Sequence, residues 1–215
     1  MTSPDLRRIS ERAASDKELE WLSDRVAKTS ANGAPAILKV ARSPTDRALL
    51  RQEWRWLSAI DAPYMPRPIS FEETTEESRL IRGFATGKTL DAYPERLGFR
   101  TLVAIIGDLH AKGVAHCDLR PENIVCSDRH VVLLDWEFAA PLGASISALP
   151  CRPFSSGWTH PNLIWGRSEV TSELDFFALR RMAECGFLLG SEGRVNELTI
   201  DAPRMPPDAR AFTQI

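Results

Sequence analysis

The chain of 215 residues reads as an α+β protein with a small β-rich N-terminal lobe and an α-helical C-terminal lobe. Three observations predict this. Strand-like runs in the first third flank Asn32-Gly33, a dipeptide whose two residues both tolerate positive φ and so favour a tight hairpin. Apolar residues at helical spacing dominate from Tyr93 onward. Between them, the polar run His116-Cys117-Asp118-Leu119-Arg120-Pro121-Glu122-Asn123 precedes two short apolar segments and Asp135-Trp136-Glu137.

Composition narrows the class. A hydrophobic content of 43% supports a packed core, in one large domain or in two small lobes sharing a cleft. Twenty-seven basic and 29 acidic residues give a net charge of −2, so no global field favours nucleic acid or a membrane surface, and neither is expected as a partner. Met1 to Ser10 carries charges and no apolar export core, no apolar stretch approaches spanning length, and a cytoplasmic protein is expected. Cys117, Cys126, Cys151 and Cys185 lack paired metal-ligand spacing, which predicts reduced thiols and no structural zinc.

The elements follow in order. Arg25 to Ser30 and Ala34 to Ala41 are strands, the second carrying Lys39. Ser43-Pro44 is a helix start signal, and Leu49, Leu50, Trp54, Leu57 and Ile60 continue the helical period over Asp46 to Ile60, with Glu53 inside it. Pro63, Pro66 and Pro68 end that helix and lead into extended Ile69-Ser70-Phe71. Glu72 to Glu77 reads as a solvated acidic loop and Leu80 to Ala85 as the next strand. Leu97, Leu102, Ile105, Ile106 and Leu109 mark a helix stopping at Lys112-Gly113. Ile124-Val125 and Val131 to Leu134 form two strands around the turn Ser127 to His130, which would bring Asn123 and Asp135 to one end of the pair. The last helix runs from Ser172, as N-cap, through Leu188.

The polar run suits phosphoryl transfer, which needs a carboxylate to take the acceptor hydroxyl's proton and oxygen ligands that place Mg²⁺ on a triphosphate. Asp118 can be the base, with Asn123 and Asp135 as metal ligands. In this order the residues resemble the protein-kinase-like superfamily, whose signatures are a base Asp, a metal Asn and a second metal Asp.

The resemblance implies a bilobal fold, with residues 1–85 the N-lobe and 86–215 a truncated C-lobe, binding ATP and Mg²⁺ and phosphorylating a protein substrate on Ser or Thr. It makes Lys39 the residue that holds the α- and β-phosphates, with Glu53 orienting it and Asp46 as the fallback carboxylate. Arg120 would stabilise charge on the transferred group. Gly83, Phe84 and Ala85 stand where backbone groups meet adenine, Val125 lines the same site, and Arg82 takes the gatekeeper position, where a buried guanidinium needs a carboxylate that the sequence does not identify. Asp175 would anchor the backbone of the catalytic loop.

The chain also departs from that pattern. Asp16 to Asp24, where a glycine-rich loop would cover the phosphates, has no glycine. Asn162 in His160-Pro161-Asn162 replaces the acid of Ala-Pro-Glu, and the C-terminal helical region is short. Cys117 replaces an Arg that captures a phosphorylated loop residue, so phosphorylation at Ser145, Ser147, Ser155, Ser156 or Thr159 is not expected to be the switch. Cys117 itself reads as a small buried filler. Asp135-Trp136-Glu137 is similar to aminoglycoside- and choline-kinase-like enzymes, which keeps a sugar or antibiotic hydroxyl open as acceptor. A nucleotide-binding pseudokinase without turnover is the other alternative.

Overall fold

A computed structural model describes residues 19–92, 97–128 and 130–188. The described residues divide into two compact units, one within Met1–Asp61 and Met65–Ala85, the other within Ala62–Tyr64 and Thr86–Ile215. Together they have the α+β architecture expected, with the large sheet in the first unit and most of the helix in the second.

The first unit is a five-stranded antiparallel sheet of order β1-β2-β3-β5-β4, built from β1 (Glu20–Trp21), β2 (Val26–Ala31), β3 (Ala34–Ala41), β4 (Pro68–Glu73) and β5 (Ser78–Gly83). Asn32 and Gly33 turn β2 into β3 with φ of 52° and 78°, as the hairpin reading requires. β3 is central and covered on both faces, which is why Ala36-Ile37-Leu38-Lys39-Val40-Ala41 reads as a continuous run rather than an alternation. Ala36, Leu38 and Val40 pack with Ile81 and Ala31 on one side. The other side faces helix α1 (Pro44–Ala59), which buries Leu49, Leu50, Glu53, Trp56 and Leu57. Ser43 caps α1 by accepting the Asp46 amide, with Pro44 in the first turn.

The acidic run Glu72 to Glu77 is not a purely solvated loop. Glu72 and Glu73 end β4, and Arg47 and Arg51, one turn apart on α1, both reach Glu73, at 3.2 and 2.6 Å. The hydrogen bond from Arg51 leads in pulling the Glu73 carboxyl down to about 2. Helical spacing on α1 therefore fixes the strand end, a long-range pairing that local charge counting does not show.

The second unit is organised around α2 (Phe99–Ala111) and α4 (Glu173–Glu184), which pack against each other, with the short α3 (Pro161–Trp165) between them in sequence. Gly113, at φ 80°, stops α2 as expected. Part of the stretch assigned to the start of that helix, Tyr93 to Arg96, lies outside the described residues. β6 (Lys88–Thr89), β8 (Ile124–Cys126) and β9 (Val131–Leu133) form one small sheet, and β7 (Val114–Ala115) pairs with β10 (Ala140–Pro141). α4 ends at Glu184, short of Leu188, and Ser172 makes no side-chain cap because its own backbone is already helical (φ −57°, ψ −25°).

All four cysteines are free. Among the described residues no helix is long and apolar enough to cross a membrane.

Gly87 enters β6 at φ 144°, and a Cβ there would lie 2.3 Å from the Cys126 carbonyl oxygen, a backbone atom that cannot step aside. Gly87→Ala is expected to lower unfolding free energy by about 3 kcal/mol, read as the shift in urea midpoint.

Candidate active site

In the first unit, Lys39 on β3 and Glu53 on α1 form a buried ion pair, with Nζ 2.6 Å from Oε2. Both side chains are almost wholly out of solvent, at 7% and 0% exposure, a placement tolerable only because each neutralises the other. Asp46, the fallback partner, is used elsewhere. It receives Arg25 at 2.9 Å.

Arg82 also meets Glu53, its Nε lying 3.6 Å from Oε1. That supplies the carboxylate the sequence could not name. Of the backbone groups assigned to adenine, the Gly83 N–H donates to Arg67 O at 2.8 Å and the Phe84 N–H to Pro35 O at 3.2 Å. Residues 16–18 of the glycine-free stretch lie outside the description, while Leu22 to Arg25 form the tip of the β1-β2 hairpin.

The second unit places the polar run with one buried carboxylate. Asp175, in the first turn of α4 and 0% exposed, accepts the His116 amide on Oδ2 and the Cys117 amide on Oδ1, both at 2.8 Å. His110 Nε2 of α2 lies 2.9 Å from the same Oδ2. Burial acts to raise this carboxyl's pKa. The His110 contact, with His116 and its amide, outweighs burial and holds it below the ordinary value. The bonded loop has an unusual backbone, with Cys117 in the left-handed region at φ 65°.

Asp118 follows directly. Its Oδ2 accepts Asn123 Nδ2 at 3.1 Å, and the same amide donates to the Asp118 carbonyl at 2.9 Å, which fixes Asn123 with its Oδ1 turned away from these contacts. Arg120 Nε is 3.9 Å from Oδ2. Burial pushes the Asp118 pKa up, with Asp135 adding to it, against the opposing Ser155 hydrogen bond and the charges of His116 and Arg120. Asp135 sits at φ 57°, and the Leu134 amide just before it donates to Asn123 O at 2.7 Å, so the hairpin does bring positions 123 and 135 to one end. Val125, buried on β8, pairs with Val132.

Among the described residues no three His, Cys, Asp or Glu side chains gather as a metal cage. The donor set here is one amide and one carboxylate oxygen. That suits Mg²⁺, which keeps waters and phosphate oxygens in its shell and takes few protein ligands.

Ser155 and Thr159, which the sequence offers only as loop hydroxyls, belong to this neighbourhood. Ser155 Oγ donates to Asp118 Oδ1 at 2.8 Å, and the Ser155 amide donates to Thr159 Oγ1 at 2.8 Å. These two therefore stand apart from the other loop hydroxyls, since alanine at 155 removes a hydrogen bond to Asp118 itself. A separation of 37 residues across an aperiodic segment gave no signal for the contact.

The departures have local accounts. Cys117 is buried with Ala115, Ala140, Ile146 and Leu163, and burial, with Asp175 and Asp118 nearby, raises its thiol pKa well above the usual value, which makes it an inert filler. Trp136 is fully buried, donates its indole N–H to Leu133 O at 2.9 Å and packs against His116 at 4.9 Å. Asn162 Nδ2 bonds Ser168 Oγ at 3.4 Å.

A buried carboxylate on one helix bonded to the loop that carries an Asp and an Asn, with a second Asp at the end of a hairpin, is the arrangement of a kinase-type phosphotransferase. Comparison with known proteins agrees, since the protein kinase domain family matches residues 36–183, and the chain belongs to that family. It is 33% identical over 98 residues to a maternal embryonic leucine zipper kinase of Xenopus laevis, covering 43% of this chain and 15% of that protein. It is 29% identical over 115 residues to a probable myosin light chain kinase of Dictyostelium discoideum, covering 48% and 37%. A serine/threonine-protein kinase of Arabidopsis thaliana is 26% identical over 134 residues, covering 56% and 25%. The chain thus spans well under half the length of these relatives.

Asp175→Asn replaces one acceptor oxygen by a donor facing a backbone N–H. It is expected to cost about 3 kcal/mol at neutral pH by urea denaturation. Because the folded pKa is lowered, the stabilisation is present above the ordinary Asp value near pH 4 and is lost as pH falls through the folded value, so the two proteins should converge in acid.

Proposed function

We propose that the chain is an ATP- and Mg²⁺-dependent kinase that phosphorylates Ser or Thr hydroxyls of a protein, with residues 1–85 acting as the N-lobe and the remainder as the C-lobe. The observation that carries this reading is the loop from His116 to Asn123. Its backbone is bonded to Asp175, its Asp118 carboxylate is buried, and its Asn123 amide is locked onto that Asp. Serine/threonine kinases among the relatives and the Arg120-Pro121-Glu122 sequence favour a protein acceptor over a sugar or antibiotic.

Each group then has a part. Lys39, oriented by Glu53, binds the α- and β-phosphates. Ala85 serves adenine through its backbone, because the Gly83 and Phe84 amides are already engaged, and Val125 packs on the ring. Asn123 Oδ1 and the Asp135 carboxylate would hold Mg²⁺, which supplies charge neutralisation on the phosphates. Asp118 accepts the proton of the attacking hydroxyl as the new O–P bond forms and the bond to the leaving diphosphate breaks. Its raised pKa makes it a stronger base than an exposed Asp, and each carboxylate oxygen keeps a second lone pair beside its bond to Asn123 or Ser155. Arg120 offers charge to the transferred group.

The test is transfer from γ-labelled ATP with Mg²⁺ to a generic basic protein. Asp118→Asn is expected to reduce label by about 10³-fold. Nucleotide binding without transfer to any acceptor in the parent protein would make the chain a binding module instead, and transfer only to small hydroxyl compounds would move the acceptor class.

The same variant has a stability signature. A carboxyl whose folded pKa is raised is most favourable at low pH, and its contribution is lost as pH rises through that value, so ionised Asp118 costs stability at neutral pH. Asp118→Asn should melt no lower than the parent at pH 7, and any gain should vanish below about pH 4.

A further inference from the structure

The chemistry above leaves Arg82 unused. It lies on β5 opposite Ile37 of β3, which puts it on the same sheet face as Lys39, and its side chain is 5% exposed. Leu80 and Ile81 beside it are apolar and buried, so an apolar side chain at 82 would suit the strand and avoid the cost of desolvating a guanidinium. Stability is therefore a poor reason for an arginine there.

The geometry gives another reason. Glu53 stands between two cations from neighbouring strands, offering one oxygen to each: Oε2 to Lys39 Nζ at 2.6 Å and Oε1 to Arg82 Nε at 3.6 Å. Arg82 Nη1 also reaches the Gly83 carbonyl at 3.4 Å, which ties the guanidinium to the strand and limits where Nε can point.

We propose that Arg82 is a positioning residue for nucleotide binding, acting through Glu53. By setting its charge beside Oε1, at 3.6 Å and with no hydrogen bond between Nε and Oε1, it favours the carboxylate orientation in which Oε2 faces Lys39. By sharing the carboxylate's charge it leaves the Lys39 ammonium less neutralised than in a simple pair, and so more attractive to a phosphate in a site of low dielectric. The inference rests on the kinase reading, in which Lys39 binds the phosphates, and deepens it by naming what tunes that lysine.

Arg82→Met, Arg82→Gln and Arg82→Lys are compared with the parent chain for affinity towards a non-hydrolysable ATP analogue with Mg²⁺, by calorimetry, and for urea midpoint. Met and Gln are each expected to weaken binding about tenfold while the midpoint holds or rises, and Lys to recover to within about threefold. Adding Glu53→Gln to Arg82→Met should cost little more than the worse single variant, since both act on one carboxylate. Parent-like affinity in Arg82→Met and Arg82→Gln, an affinity loss that tracks a falling midpoint, or losses that multiply with Glu53→Gln would each overturn the inference. A parent chain that binds no nucleotide would sink the kinase reading and this inference together, whereas a binding parent with indifferent Arg82 variants removes only the inference.

Discussion

One buried carboxylate organises the second unit. Asp175 is fixed by its place in the first turn of α4, where the helix end favours negative charge, and it reaches the loop through hydrogen bonds from two consecutive amides. A non-glycine residue at positive φ is disfavoured, so the left-handed backbone at Cys117 persists only where something over-determines it. Two charge-assisted bonds to one side chain do so. His110 from α2 closes the arrangement, and the direction of Asp118, the next residue, follows from it.

That anchor also makes sense of the substitutions around it. With the amide of position 117 bound to Asp175, the side chain there turns into an apolar cluster, where a small thiol fits and an arginine would not. Trp136, wholly buried, adds an indole bond to Leu133 O and holds the segment beside Asp135 against His116. Near Asp118 the balance runs the other way. Burial beside Asp135 disfavours its ionised form, and the Ser155 bond with the charges of His116 and Arg120 offsets that only in part. A carboxylate kept at some cost to the fold is what a site selected for chemistry would show.

Much of this was legible in the sequence, and the limits have a physical pattern. Local signals worked: Asn32-Gly33 gave the β2-β3 hairpin, Ser43-Pro44 the start of α1, and Gly113 the end of α2. The Lys39–Glu53 pair was anticipated through resemblance, supported by the cost of leaving either charge unpaired in a cleft. The link from Asp175 to the loop was anticipated only through resemblance. No periodicity could supply the Ser155 contact with Asp118, the Arg82 contact with Glu53, or the clamp of Arg47 and Arg51 on Glu73. Side-chain spacing assigns a residue to a face, and which polar atoms meet across elements depends on packing that a single sequence does not encode locally.

The central claim is that Asn123 and Asp135 hold a divalent cation on a nucleotide beside Asp118. Paramagnetic broadening by Mn²⁺, added with nucleotide to ¹⁵N-labelled protein, tests it most directly. The account predicts selective loss of the Asn123 side-chain amide signal and of backbone signals around Asp118 and Asp135 at substoichiometric metal. Sharp signals at all three positions, with broadening elsewhere or none, would contradict it.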